Sequence, residues 1–288
     1  MITYESKVKG ETEYPTQVAG VPLRDVEPLA HTGIYATVWR GNVDEEKGMQ
    51  VVIKRHQVDP LTIDREITAW VEYKNNIESY KDTTGITVPK SLAFETEGDK
   101  VYFIDELACP VDVSKLLNDT TLNIEIRKKI VAELFRSLSN IPRDENHQLV
   151  FMIDGKFSNF CFNPDGTFSY VDTFPAHRRA DDSKTLLHPI KDHIDSKRSI
   201  FTDSFITGDM YGVLGRFFST LRKDHFELWE SLDDNEYIRL VIEELPTDLR
   251  DYSTYLIEND IEFIQQLYRF NAEDKSDHRL YSFLNPES

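Results

Sequence analysis

One stretch constrains this chain more than any other: residues 150–175, VFMIDGKFSNFCFNPDGTFSYVDTFP. Two short aromatic-rich runs flank Asn163-Pro164-Asp165-Gly166. Proline fixes φ and glycine accepts a positive φ, so the tetrad predicts a turn. The runs are then expected to pair as a hairpin, Phe160–Phe162 against Phe168–Val171. Asp154 and Asn159 precede the first strand, and Asp172 ends the second. Closing the hairpin gathers all three at one end of it. Two carboxylates and an amide make an oxygen-rich site suited to a hard cation, with waters and phosphates completing its shell.

Upstream, the order of features matters as much as any single one. Leu29–Gly41 alternates Tyr35, Thr37 and Trp39 after small residues, a strand–turn–strand pattern with Gly33 at the turn. Val51-Val52-Ile53 predicts a buried strand closed by Lys54, whose ammonium needs a partner or a phosphate. A helix is expected from Leu61 to Ile77. Its apolar face (Ile63, Ile67, Trp70, Ile77) also carries Glu66, a carboxylate that asks for a cation, Lys54 being the candidate. Residues 88–94 and 101–104 predict a second hairpin across Glu97–Lys100, followed by Asp105-Glu106-Leu107. A long helix is expected from Asn123 to Asn140, with a buried stripe of Ile126, Ile130, Leu134 and Leu138 and with Val131 beside it.

Asp154, Lys156 two residues on, Asn159, a hairpin, then Asp172 resembles the catalytic and metal-binding segments of protein-kinase-like folds. The spacing is most similar to that of small-molecule kinases of the aminoglycoside phosphotransferase and choline kinase type. Met152-Ile153 stands where the family carries His-Arg or His-Gly, and Asp172-Thr173-Phe174 where protein kinases carry Asp-Phe-Gly. The resemblance covers roughly residues 28–221. It implies a two-lobed α+β fold, with a mostly β small lobe over 1–106 and a mostly helical large lobe over 107–288. It implies an ATP- and Mg²⁺-dependent phosphotransferase acting on a hydroxyl of a small molecule. Asp154 would be the catalytic base with Lys156 beside it, and Asn159 and Asp172 the metal ligands. Lys54 would hold the nucleotide phosphates, positioned by Glu66, under a loop at Gly33. Adenine would meet backbone groups near Glu106 and Leu107. Two other classes stay open: a nucleotide-binding pseudokinase or scaffold, and a kinase-fold nucleotidyl transferase.

Composition narrows the field further. A chain of 288 residues with 40% hydrophobic and 29% charged residues is expected to fold around a sizeable core. A net charge of −18 argues against nucleic-acid binding and permits a cationic substrate. No apolar run predicts a membrane span, and the N-terminal residues lack a signal-peptide core, so a cytosolic protein is expected. Cys109 and Cys161 both lie in apolar company and are expected to be buried thiols. Histidine spacing offers no zinc site. Residues 1–25 read as an extension ahead of the core. His177, Arg178 and Arg179 follow the hairpin as a basic cluster that could bind an anionic group or hold its loop. Residues 208–221 predict a helix with Asp209 at its start, and 224–271 predict amphipathic helices. Oligomeric state is not readable from the sequence.

Overall fold

The computed structural model describes residues 14–29, 36–43, 48–109, 111–143, 149–174, 210–232 and 235–258. The architecture is mixed α+β, and the chain divides into two compact units. Among the described residues, the first comprises those up to Ile67 together with Pro89–Ala108, and the second Thr68–Val88 with those from Cys109 onward. The division expected at residue 106 therefore differs from the observed one chiefly in residues 68–88, which group with the second unit.

The first unit is built on a five-stranded antiparallel sheet. Its spatial order is β3 (Arg24–Pro28), β4 (Ala36–Val43), β5 (Met49–Gln57), β8 (Lys100–Glu106) and β7 (Ser91–Glu97). Successive side chains of a strand point to opposite faces, so Trp39 and Val43 of β4 share a face. They bury there with Val51 and Ile53 of β5 and Ile104 of β8. Of residues 1–25, expected to form an extension ahead of the core, the described part joins the core instead. A small hairpin of β1 (Gln17–Val18) and β2 (Val21–Pro22) leads into the edge strand β3, and Val18 and Leu23 lie inside the same core. Val21 and Val26 pack against that core as well, and four apolar side chains spread over a hairpin and an irregular strand make no periodic signal.

Helix α1 (Ile63–Ser79) begins in the first unit and continues in the second. Glu66, Trp70, Tyr73 and Ile77 are buried at helical spacing, so Glu66 does lie on the apolar face. The second unit continues with the short α2 (Lys81–Thr84) and β6 (Ile86–Thr87). The expected hairpin forms as β9 (Phe160–Phe162) and β10 (Phe168–Tyr170), with Phe162 opposite Phe168, Cys161 opposite Ser169 and Phe160 opposite Tyr170. β6 adds to β10 in parallel. Gly166 takes φ +88° in the turn, where its amide donates to Asn163 O at 3.0 Å.

Helices α3 (Val113–Asn118), α4 (Ile124–Ser139), α5 (Met210–Asp224), α6 (Phe226–Glu230), α7 (Glu236–Glu244) and α8 (Thr247–Glu258) complete the described part. Asn123 caps α4, its Oδ1 accepting from Glu125 N at 2.8 Å. Ile130, Val131, Leu134, Phe135 and Leu138 are buried, but Ile126 is 49% exposed. A spacing of four overshoots the helical turn by about 40° per step, so a stripe centred on Leu134 has rotated away by Ile126. Phe135, Phe157, Phe217 and Phe218 form the aromatic centre, with Phe135 and Phe157 rings 5.3 Å and 5.0 Å from that of Phe217. Among the described residues no helix is long and apolar enough to cross a membrane.

Candidate functional site

In the first unit Lys54 does not close its strand, as expected above, but sits within β5, which runs on to Gln57, beside β8. The register sets Lys54 opposite Phe103 and Val52 opposite Asp105, so Lys54 and Asp105 are diagonal neighbours on one face. Lys54 Nζ reaches Asp105 Oδ2 at 3.3 Å, and Ser91 Oγ donates to Asp105 Oδ1 at 2.5 Å. Asp105 is buried, so both bonds offset the cost of desolvating its charge. Glu66 is 1% exposed and accepts from Arg65 Nη2 at 3.1 Å. The amide of Glu106 donates to Lys90 O and that of Leu107 to Gln50 O, so neither N–H is open to an adenine ring. Gly33 lies outside the described residues. Asp105 was missed because finding it requires the strand register.

In the second unit the chain bends at Val150 and Phe151 and joins no sheet through Asp154. Val150 N donates to Pro142 O at 3.0 Å, and side chains satisfy further backbone groups at Val150, Met152 and Asp154. Asn76 Nδ2 donates to Val150 O at 2.8 Å and Tyr73 OH to Met152 O at 2.5 Å. The amide of Asp154 donates to Tyr170 OH at 3.3 Å. The polar residues of α1 and the last residue of β10 thus hold the loop that carries Asp154. Trp70 Nε1 donates to Thr173 Oγ1 at 3.2 Å, fixing the chain just past Asp172.

The Asp154 carboxylate has three donors. Lys156 N and Arg216 Nε each lie 3.2 Å from Oδ1, and Asn159 Nδ2 lies 3.2 Å from Oδ2. The 3₁₀ turn Phe157–Asn159 is what bends Asn159 back toward Asp154. Asp154, Lys156 and Asn159 are half-buried and Asp172 is exposed. Arg216 stands on α5, 62 residues from Asp154, and no local spacing announces it.

Two buried phenols sit behind these acids. Burial pushes Tyr73 well above the ordinary tyrosine range, and the charges of Asp172 and Asp154 push the same way against a hydrogen bond with Tyr170. Tyr170 is raised likewise, by burial first and then by Tyr73, Asp172 and Asp154. Both stay protonated at neutral pH. Both also feel the charges of Asp154 and Asp172. Below the loop, His225 stacks on Phe157 with ring centroids 5.3 Å apart. Its Nδ1 lies 3.0 Å from Asn118 Oδ1 and its Nε2 lies 3.3 Å from Ser114 Oγ.

The donor set fits a magnesium ion in one particular way. Among the described residues no group of three or more His, Cys, Asp or Glu could hold a metal by itself. Two carboxylates and an amide oxygen suit Mg²⁺ bound largely through water and substrate phosphates, which is its habit. Asn159 and Asp172 are the residues that would hold such an ion. The cysteines require a correction: Cys109 and Cys161 are not free thiols but a disulfide, with Cα atoms 5.7 Å apart. Apolar neighbours describe both states equally well, and only the fold reveals proximity. His177, Arg178, Arg179 and Asp209 lie outside the described residues. In comparison with known proteins, the chain matches no family model and no curated protein.

Proposed function

We propose that this chain is an ATP- and Mg²⁺-dependent phosphotransferase with a two-lobed protein-kinase-like fold, acting on a hydroxyl of a small molecule. The observation that carries the reading is the Asp154 carboxylate, aimed by three donors in a loop that ends at Asn159 and returns through the hairpin to Asp172. A carboxylate accepts at about four lone-pair positions, and Oδ2 has one donor against two on Oδ1. The acceptor hydroxyl would bind at Oδ2. Its proton would pass to Asp154 as the oxygen attacks the γ-phosphorus and the bond to the departing ADP oxygen breaks. Lys54, held against Asp105, would bind the nucleotide phosphates. A bound Mg²⁺ would neutralise charge on those phosphates. Positioning and neutralisation are most of what phosphoryl transfer asks of a protein.

Asp154→Asn tests the reading, because it keeps shape and removes the base. With labelled ATP, and water as acceptor until a better one is found, turnover should fall about 10²-fold or more. ATP affinity should stay close to that of the parent chain. An unchanged rate removes Asp154 from the mechanism. A second reading, a nucleotide-binding pseudokinase, is favoured by Arg216 engaging Asp154 and by Met152-Ile153 ahead of it. It requires nucleotide binding with no turnover in either protein.

A further inference from the structure

Nothing in the spacing of the acids explains how the Asp154 carboxylate is aimed. We propose that Arg216 is the positioning residue for Asp154, and that α5 is the rigid seat on which the catalytic loop is oriented. This deepens the phosphotransfer reading and rests on it.

Three neighbouring residues of α5 touch the loop. The backbone oxygen of Val213 approaches Gly155 so closely that a Cβ there would lie 2.7 Å from it. The Phe217 ring packs against that of Phe157. Arg216 Nε bonds Asp154 Oδ1 at 3.2 Å. Positions 213, 216 and 217 are i, i+3 and i+4, one face of the helix. The loop residues they meet, 154, 155 and 157, are nearly consecutive. Backbone, ring and charge therefore fix one short segment from one side.

Arg216 suits the task by its chemistry. A guanidinium donates in a fixed plane, so a bond from Nε constrains the direction of the carboxylate as well as its distance. Donors on both oxygens stop the carboxylate rotating about its Cβ–Cγ bond. Without Arg216, each oxygen keeps one donor, the Lys156 amide on Oδ1 and Asn159 Nδ2 on Oδ2, and the carboxylate loses its one charged, planar constraint. The side chains of Arg216 and Asp154 are 28% and 19% exposed. An ion pair that wet contributes little to stability. Its consequence is orientation, and Arg216 itself need not touch the acceptor.

The experiment compares the full chain with Arg216→Gln and Arg216→Lys in two measurements: Mg²⁺-ATP turnover resolved into kcat and KM, and hydrogen exchange at the Lys156 backbone amide. For Arg216→Gln, kcat should fall about 10²-fold, the cost of a misaimed reacting group, with KM for ATP unchanged. Exchange at Lys156 should quicken about fivefold or more, as expected for one weakened hydrogen bond. Arg216→Lys, which keeps the charge without the plane, should recover part of kcat. An unchanged kcat in Arg216→Gln overturns the proposal. So does a joint change of kcat and KM with Lys156 exchange unaltered, the mark of a merely structural residue. If Arg216→Gln does not fold, Arg216→Lys is read by the same two criteria. Absence of turnover in the parent chain counts against phosphotransfer itself, and the Lys156 exchange then decides alone whether Arg216 orients Asp154.

Discussion

Gly155 separates Asp154 from Lys156 and lies against the backbone of α5. The Val213 oxygen stands 2.7 Å from where a Cβ would be, and Phe217 N stands 3.4 Å from it. A flexible side chain could yield to an added methyl group, but a helix carbonyl cannot move without its helix. Gly155→Ala should therefore push α5 and the loop apart. Overpacking of this kind costs roughly 1–3 kcal/mol. Urea denaturation of the variant should show a lower midpoint, and Asp154-dependent turnover should fall with it, since Arg216 rides on the same helix. A variant as stable as the parent would mean that α5 is not seated on Gly155.

At the scale of elements, what was legible in the sequence was local. The hairpin of β9 and β10 follows from four turn residues between aromatic runs, and α4 from its flanking asparagines and apolar repeat. The gathering of Asp154 and Asn159 needed only one 3₁₀ turn. What was not legible depends on distant partners. Lys54 meets Asp105 across 51 residues, and Asp154 meets Arg216 across 62. Either pairing needs the sheet register or the seat of a helix, which no window of sequence holds. His225 is a third case, an ordinary residue between α5 and α6 until the fold sets it on Phe157. Burial lowers its pKa from the usual 6.5, assisted by Arg127 and opposed by Asp224 and Asp112. The unfolded chain then binds this proton at a higher pH than the native one does. Stability is present above pH 6.5 and is lost as pH falls below it, toward the lower native value. Denaturation midpoints measured at about pH 7.5 and about pH 5, the range over which histidine changes charge, should fall more for the parent chain than for His225→Gln. Equal falls would show that His225 titrates as freely in the native state as in the unfolded one.

The whole molecule carries 51 acidic against 33 basic residues, yet each unit keeps a basic group beside an acid: Lys54 on Asp105 in the first and Arg216 on Asp154 in the second. A net charge of −18 destabilises the compact state through self-repulsion. The disulfide opposes this by destabilising the unfolded chain. Cys109 is the first residue of the second unit after the chain leaves the first, and Cys161 lies in β9, two residues past Asn159. The bond closes a span of 52 residues that contains α3, α4 and the Asp154 loop. Restricting the unfolded chain over such a span is worth about 4 kcal/mol in the loop-entropy account, before any change in the native state. Guanidinium unfolding with and without reductant should show a loss approaching that size, and Cys109→Ser with Cys161→Ser should reproduce it without reductant. Because the entropy belongs to the unfolded state, the native hydrogen bonds around Asp154 should survive reduction, and turnover at low denaturant should change little. Alkylation of native protein prepared without reductant checks the premise directly: two reactive thiols per chain would show that the bond is not made. An intramolecular disulfide persists in oxidising compartments and is reduced in the cytosol, so the same alkylation, done in the cell of origin, reports which of these the chain meets.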